Sequence, residues 1–351
     1  MGRVTLQTVA DEVGVSRMTV SNAFSRPDQL SATLRARILT AAEELGYVGP
    51  DPAARALARG TAGSVGVLMT DSLSHAFTDE VATGFLGAIT AELAPTGLAL
   101  TLLSSAARGD VVPARDVPMD GAVIYSCDGE SAAVDWLHRR GLPLVLVDQT
   151  PRQGAATVNV DDRSGARAAA QHLVDLGHRQ VGILTADLTG PHGVVPADTA
   201  SGNHVSRQRL LGWMDALTAA GVDVTVVRQS LSPEDAAYDA AKVLLAAEEP
   251  PTAILCFSDV MAHWVVRAAE DSGLRVPADL SVVGFDDSPL ARRMRPALTT
   301  VRQDVAEKGR VAAAALTAAI EADRSGTPAP VSQVVLPTEL VVRESTGPAP
   351  R

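Results

Sequence analysis

The sequence predicts a small all-α headpiece carrying a helix-turn-helix, followed by a large two-lobed α/β domain. Three observations lead there. Two short helical patterns separated by a glycine open the chain. Prolines then break it at residues 50 and 52. From Ser64 onward, apolar strand-like runs alternate with alanine-rich helical patterns. A length of 351 residues suits two or three domains of ordinary size.

In the first helical pattern Leu6, Val9, Ala10 and Val13 recur at helical spacing, and Thr5 stands where an amino cap belongs. Gly14 supplies the left-handed backbone geometry of a sharp turn. A second helix runs from about Ser16 to Phe24, with Val20, Ala23 and Phe24 facing inward. This is the arrangement whose second helix lies in the DNA major groove. Its outward stripe is Arg17, Met18, Ser21, Asn22 and Ser25. Arginine bridges guanine O6 and N7, asparagine bridges adenine N6 and N7, and methionine meets a thymine methyl. The hydroxyls of Thr5, Ser16, Ser21 and Ser31 suit phosphates, which position a reader without specifying sequence. The competing reading is a plain helical bundle with a solvated polar face.

Ser31 caps a third helix on which Leu34, Ile38, Ala42 and Leu45 share one face, and Gly46 ends it. In Tyr47–Gly60, about seven helix-forming residues (Ala53–Arg59) follow the two prolines. A helix that short is marginal alone in water. The segment is either a plain linker or a hinge that becomes helical when a partner holds it.

In the larger part, runs 65–70, 98–103, 121–126, 142–148, 180–185, 224–227, 252–257 and 281–285 predict strands, and 162–177, 206–220, 234–247 and 259–272 predict helices. Such alternation predicts parallel sheets. Ligand sites in open sheets of this kind lie beyond the carboxyl ends of the strands. Asp71, His75, Asp148, Ser258, Asp259, Asp286 and Asp287 stand there, and Arg209 precedes Gly212 by three. Carboxylates and arginine suit a polyol, whose donors and acceptors they saturate. The plainer alternative is that some of them cap helices or serve an interlobe hinge, Asp259 above all. Phe77, Trp213 and Trp264 read as stacking platforms or core, with core the better reading for Trp213. The loop 186–205, rich in Gly, Pro and polar residues, reads as a mobile lid, since the spacing of His192 and His204 fits no metal-ligand pattern.

Charge and composition exclude several classes. The net charge is −11, yet residues 1–60 hold seven Arg against six Asp or Glu, so the acidity belongs to the larger part. Cys127 and Cys256 lie in apolar runs and read as buried thiols in a reducing compartment. No apolar run approaches the roughly 18 residues of a membrane span, and no signal-like segment precedes the first helix. An exported solute-binding protein would leave residues 3–59 unexplained. An enzyme would need a phosphate loop or catalytic set, and neither G-x-G-x-x-G, a P-loop nor a Ser/His/Asp motif is visible.

TLQTVADEVGVSRMTVSNAFS, the Y-x-x-P-x-x-A-A-R-A-L stretch from Tyr47, GLRVPADLSVVGFDD, LTTV and LVVREST together resemble the LacI/GalR family of bacterial transcription regulators, over essentially the whole chain. The resemblance implies a cytoplasmic homodimer that binds a pseudo-palindromic double-stranded DNA operator, most often as a repressor. It implies a periplasmic-binding-protein-like (type I) effector domain behind the headpiece. The boundaries become 1–48 for the headpiece, 49–62 for the hinge and 63–345 for the effector domain, with lobe one at 63–160 and 290–321 and lobe two at 161–289 and 322–342. Leu57 becomes a minor-groove wedge that kinks the duplex, with Arg55 and Arg59 beside it. The effector would be a small molecule, a sugar or sugar derivative first and a purine-type co-repressor second, held among Asp71, His75, Phe77, Asp148, Arg209, Ser258 and Asp286. No catalytic residue, metal or cofactor is implied. Four features depart from the pattern. Gly49-Pro50-Asp51 carries an extra residue, a short two-proline stretch replaces a full helix at 106–119, Ser258 stands where Asn is common, and His263-Trp264 replaces a small-x-Gly step.

Overall fold

The structure, a computed structural model, describes residues 4–49, 51, 56, 60–69, 73, 75–105, 112–126, 131–187, 192–199, 201–229 and 236–350. It divides into two units, 1–63 and 64–351.

In the first unit, α1 (Leu6–Val13) starts at Thr5, whose hydroxyl accepts from the Thr8 amide while the Thr8 hydroxyl returns a bond to the Thr5 amide. Gly14 ends it at φ 72°, a conformation that a side chain would strain. Helices α2 (Arg17–Ser25) and α3 (Ala32–Glu44) are capped by Ser16 and Ser31. Val9, Val20, Ala23 and Ile38 are fully buried where the three helices meet. Each large aliphatic among them contributes about 1.5–3 kcal/mol. Two arginines of α3 tie its neighbours down: Arg35 Nε donates to the Ala23 carbonyl at 3.2 Å, and Arg37 donates to the Val13 carbonyl.

In the second unit, the first sheet contains β1 (Ser64–Met69), β2 (Ala99–Ser104), β3 (Ala122–Tyr125), β4 (Leu144–Val147), β5 (Ala156–Val160) and β12 (Gln333–Leu336). Its order is β12-β5-β4-β3-β1-β2, and every pairing is parallel. The second sheet runs β13-β11-β10-β9-β6-β8-β7. Its parallel centre is β6 (Gln180–Ala186), β8 (Asp223–Gln229), β9 (Ala253–Cys256), β10 (Ser281–Asp286) and β11 (Thr299–Gln303), with β7 (Gly193–Val195) and β13 (Thr338–Val341) antiparallel at the edges. Helices cover both sheets: α4 (His75–Thr78), α5 (Glu80–Leu93), α6 (Pro113–Asp116) and α7 (Ala132–Arg139) in the first part; α8 (Asp162–Asp175), α9 (His204–Ala219), α10 (Ala236–Leu245), α11 (Asp259–Asp271) and α12 (Pro289–Arg293) in the second; then α13 (Val305–Ser325). Each sheet has an apolar cluster on either face, as both-face burial of parallel sheets requires.

The chain passes between lobes three times, and this corrects the expected boundaries. Residues 290–321 do not all belong to lobe one: Ala291, Met294 and Leu298 pack in a core of the second sheet, and β11 pairs with β10. Nor do 322–342 all belong to lobe two, because the second half of α13 packs on the first sheet and β12 extends it beside β5. The crossings fall at Asp161, Asp304 and Pro337. The 186–205 stretch is not wholly irregular, since β7 pairs with β8. At the family's expected full helix, the described residues hold only the four-residue α6.

Candidate effector cleft and DNA-reading helix

On α2 the inward residues are fixed by packing, and the outward ones stand clear. Arg17 is exposed and Met18 is 70% exposed, both free to meet a partner. Ser21, Asn22 and Ser25 are half-buried. Asn22 Nδ2 donates to Gln29 Oε1 at 3.1 Å, which orients the amide, while Ser25 Oγ turns back to the Ser21 carbonyl at 2.8 Å. Thr5, Ser16 and Ser31 accept from the amides of Thr8, Thr19 and Leu34. These three hydroxyls are structural caps first. A hydroxyl that accepts in this way keeps further capacity to donate. Arg55 and Leu57 lie outside the described residues.

In the second unit, the non-glycine residues at positive φ among the described ones are Ser126 (48°), Asp148 (55°), Asp286 (116°) and Asp287 (53°). All four sit at the carboxyl ends of β3, β4 and β10. Backbone strain of this kind persists only where surrounding bonds impose it. For Asp148 the device is Asn159, which accepts from the Gln149 amide at 3.1 Å and donates to the Gln149 carbonyl at 2.9 Å. For Asp286 and Asp287 it is Asp259, which accepts from the Ser288 amide at 2.7 Å and the Thr300 hydroxyl at 2.5 Å. Asp259 is therefore neither a helix cap, a role Ser258 takes, nor a group open to a ligand. Burial, and next the nearby Asp286, push its pKa well above the ordinary carboxyl value.

The two strained carboxylates are joined by a buried chain of polar side chains lying at two of the crossings. Asp162, the first residue of α8, accepts from Arg209 Nε at 2.8 Å. Arg209, on α9, also donates to the Phe257 carbonyl and, at 3.5 Å, to Asp286 Oδ1. Its guanidinium lies 3.5 Å from the Phe285 ring centroid and 4.7 Å from that of Phe257. Gln303 Nε2 donates to Asp286 Oδ1 at 2.6 Å. Lys308 Nζ then donates to Gln303 Oε1 at 2.8 Å and to Asp148 Oδ2 at 2.6 Å. Asp148 and Lys308 belong to the first lobe, and Gln303, Asp286, Arg209 and Asp162 to the second.

The chain holds three carboxyls and two cations, all at most 9% exposed. Burial raises the Asp286 pKa to about 7, against the pull of Arg209, and that of Asp162 to about 6. Burial opposes the charge of Arg209, but Asp162 and Asp286 outweigh it, and its pKa lies above the usual value. Two buried oxygens in the chain have no hydrogen-bond partner, Asp148 Oδ1 and Asp162 Oδ2. Buried acceptors are rarely left so unless something else completes them.

Of the residues expected at the cleft, Asp148, Arg209 and Asp286 come together. Ser258 is half-buried, and its hydroxyl caps α11. Phe77 is 69% exposed on α4. Asp71 and the side chain of His75 lie outside the described residues. Asp287 is a structural ion hub, gripped by Arg292, Arg302 and Arg343. Trp213 is core, and Trp264 packs against a core cluster of the second sheet. His204 Nδ1 meets the Thr150 hydroxyl at 3.3 Å, and Arg207 Nη2 donates to it at 3.2 Å, so the start of α9 touches lobe one. The sequence reading missed Asp162, Gln303 and Lys308. For Lys308 a signal existed. It is one of only two lysines in the chain, and it sits four before Ala312 and eight before Leu316, on the apolar stripe of its helix.

Comparison with known proteins gives a consistent result. The family described as bacterial regulatory proteins, lacI family, matches residues 5–49, and the periplasmic binding protein-like domain matches residues 170–346. An HTH-type transcriptional regulator of Mycolicibacterium smegmatis is 37% identical over 99% of this chain and 97% of its own length. Among solved structures, the transcriptional regulator CelR–cellobiose complex is 28% identical, with a TM-score of 0.70 over 98% of this chain and 100% of that one. The lac repressor dimer bound to operator and the anti-inducer ONPF is 26% identical, with a TM-score of 0.77 over 99% and 100%.

Proposed function

The chain belongs to the lacI family of bacterial regulatory proteins, and from that premise we propose that it is a cytoplasmic, homodimeric repressor whose operator affinity is set by a small polyhydroxylated effector. The headpiece (1–48) reads a pseudo-palindromic operator through Arg17, Met18, Ser21 and Asn22. The hinge (49–62) places Leu57 at the central base step, with Arg55 beside it. The effector lies between the lobes against Asp148, Arg209 and Asp286. These groups bind and do not catalyse.

The observation that carries this reading is the buried polar chain from Asp148 to Asp162. It lies at the Asp161 and Asp304 crossings, and it offers two uncompleted acceptors to a donor-rich ligand. A ligand seated there touches the crossings between the lobes, so lobe rotation and binding share one free energy. Rotation then changes the separation of the two hinge segments in the dimer and decides whether both recognition helices engage together. That CelR is found in complex with cellobiose supports a carbohydrate effector. No helix among the described residues is long and apolar enough to cross a membrane.

The test is selection of random duplex DNA by the full-length protein at a stated moderate salt, with and without pooled neutral sugars. A two-fold palindrome whose enrichment changes with the sugars supports the reading. Enrichment that no sugar alters removes the carbohydrate effector, and no enrichment in either arm removes the operator reader.

A further inference from the structure

Resting on that reading, we infer that the cleft selects an uncharged polyhydroxylated ligand over its phosphorylated or carboxylated counterparts, and that Lys308 is the residue that sets this selection.

An anionic ligand needs a cation whose charge is not already matched by a carboxylate. Three long basic side chains are buried among the described residues: Arg209, Arg228 and Lys308. Arg209 donates to Asp162, the Phe257 carbonyl and Asp286, so two carboxyls already face its charge, and aromatic rings lie over its plane. Arg228 donates to the Thr199 carbonyl at 2.9 Å and lies 4.0 Å from Asp187. Lys308 has three donors, of which two go to Asp148 and Gln303, and its ammonium lies 5.7 Å from the Tyr125 ring centroid. Within the chain of side chains from Asp148 to Asp162, the atoms without any partner are of the opposite kind. Asp148 Oδ1 and Asp162 Oδ2 are acceptors on carboxyl groups, buried and unpartnered. Hydroxyl groups complete them, whereas phosphate or carboxylate oxygens repel them.

Lys308 decides the matter because it stands where the site could have been cationic. Lysine is a compact point charge able to receive a phosphate. Here Asp148 Oδ2 matches that charge at 2.6 Å, while Asp148 Oδ1 stays buried without a hydrogen-bond partner. The same ammonium takes the carbonyl end of Gln303, which turns the amide donor toward Asp286. Lys308 thus acts as an internal counter-ion, and Asp148 keeps it from serving as an anion receptor.

The experiment uses full-length protein with its selected operator. The probes are matched sets: glucose, glucose 6-phosphate and glucuronate; ribose and ribose 5-phosphate; cellobiose and cellobionate. Binding is read by titration calorimetry and operator release by fluorescence anisotropy. Any neutral probe that binds should do so roughly 100-fold more tightly than its anionic counterparts, as like-charge juxtaposition implies. Asp148→Asn, nearly isosteric, leaves the Lys308 ammonium without its carboxylate. It should gain roughly tenfold or more for the anionic members of that set, a change of about 1.4 kcal/mol. The double variant D148N/K308M should show none of that gain. Equal binding of neutral and anionic probes by the wild type overturns the selection. An Asp148→Asn variant that still binds operator but gains nothing for anions overturns the role of Lys308. If no probe binds, the carbohydrate reading itself fails and this selection falls with it.

Discussion

Arg209 holds two buried carboxyls at once, and replacing it with methionine tests whether the chain at the crossings is electrostatic in substance. Its side chain is 4% exposed, with Asp162 at 2.8 Å and Asp286 at 3.5 Å. Removing one partner of a buried pair typically costs about 3–5 kcal/mol, because the charges left behind are uncompensated. The cost must depend on pH. A carboxyl whose folded pKa is raised holds its proton more tightly in the native state than in the unfolded chain. Its contribution is therefore most favourable below the unfolded value, near 4, and is lost as pH rises through the folded value. With Arg209 present those folded values are about 6 for Asp162 and about 7 for Asp286. Without it both move higher, and the loss extends to higher pH. At pH 8 Arg209→Met should cost about 3–5 kcal/mol. Near pH 5 both carboxyls are largely protonated in either protein, and the cost should shrink to about 1–2 kcal/mol from the lost hydrogen bonds and ring contacts. Urea unfolding at fixed protomer concentration measures it, with the buried Trp213 reporting on the second lobe. An equal cost at both pH values would refute the electrostatic account.

Leu57→Ala should weaken specific operator binding roughly tenfold or more, about 1.4 kcal/mol, while effector affinity measured by calorimetry stays nearly intact; equal operator binding would remove the wedge. Arg17→Ala should cost about 1–3 kcal/mol and relax preference at one position of each half-site, and a uniform loss on all sequences in a binding-site selection would make it a phosphate contact instead. Gly212→Ala drives a methyl into the Arg163 carbonyl oxygen, 3.0 Å from its carbon and 2.9 Å from Ala166 Cβ. Such overpacking should cost about 1–3 kcal/mol and lower the thermal midpoint by several degrees. An unchanged midpoint would mean that α8 and α9 separate without cost.

The parts of the fold legible in the sequence are those whose signal is local. The headpiece follows from apolar spacing, three hydroxyl caps and one left-handed glycine, all within residues 5–45. The expected central strands are there because continuous apolar runs mark strands buried on both faces. Strand β5 was missed because Thr157 and Asn159 interrupt its apolar pattern, although the whole strand is buried. Strand β12 was missed for a different reason: it lies at a sheet edge and is only partly covered.

At the cleft, the places of Asp148 and Asp286 at strand ends, and of Arg209 on the neighbouring helix, are legible in the residues around each, since each follows from its own element. What those groups do to one another comes from the folded arrangement. Lys308 reaches Asp148 across 160 residues of chain, and Arg209 reaches Asp162 across 47. The lobe boundaries share this origin, because β12 joins the first sheet by pairing Gln333 with Thr157. Propensity and periodicity are properties of neighbours along the chain. Strand pairing and ion pairing depend on where folding places distant segments, and burial then fixes their strength and the protons they hold.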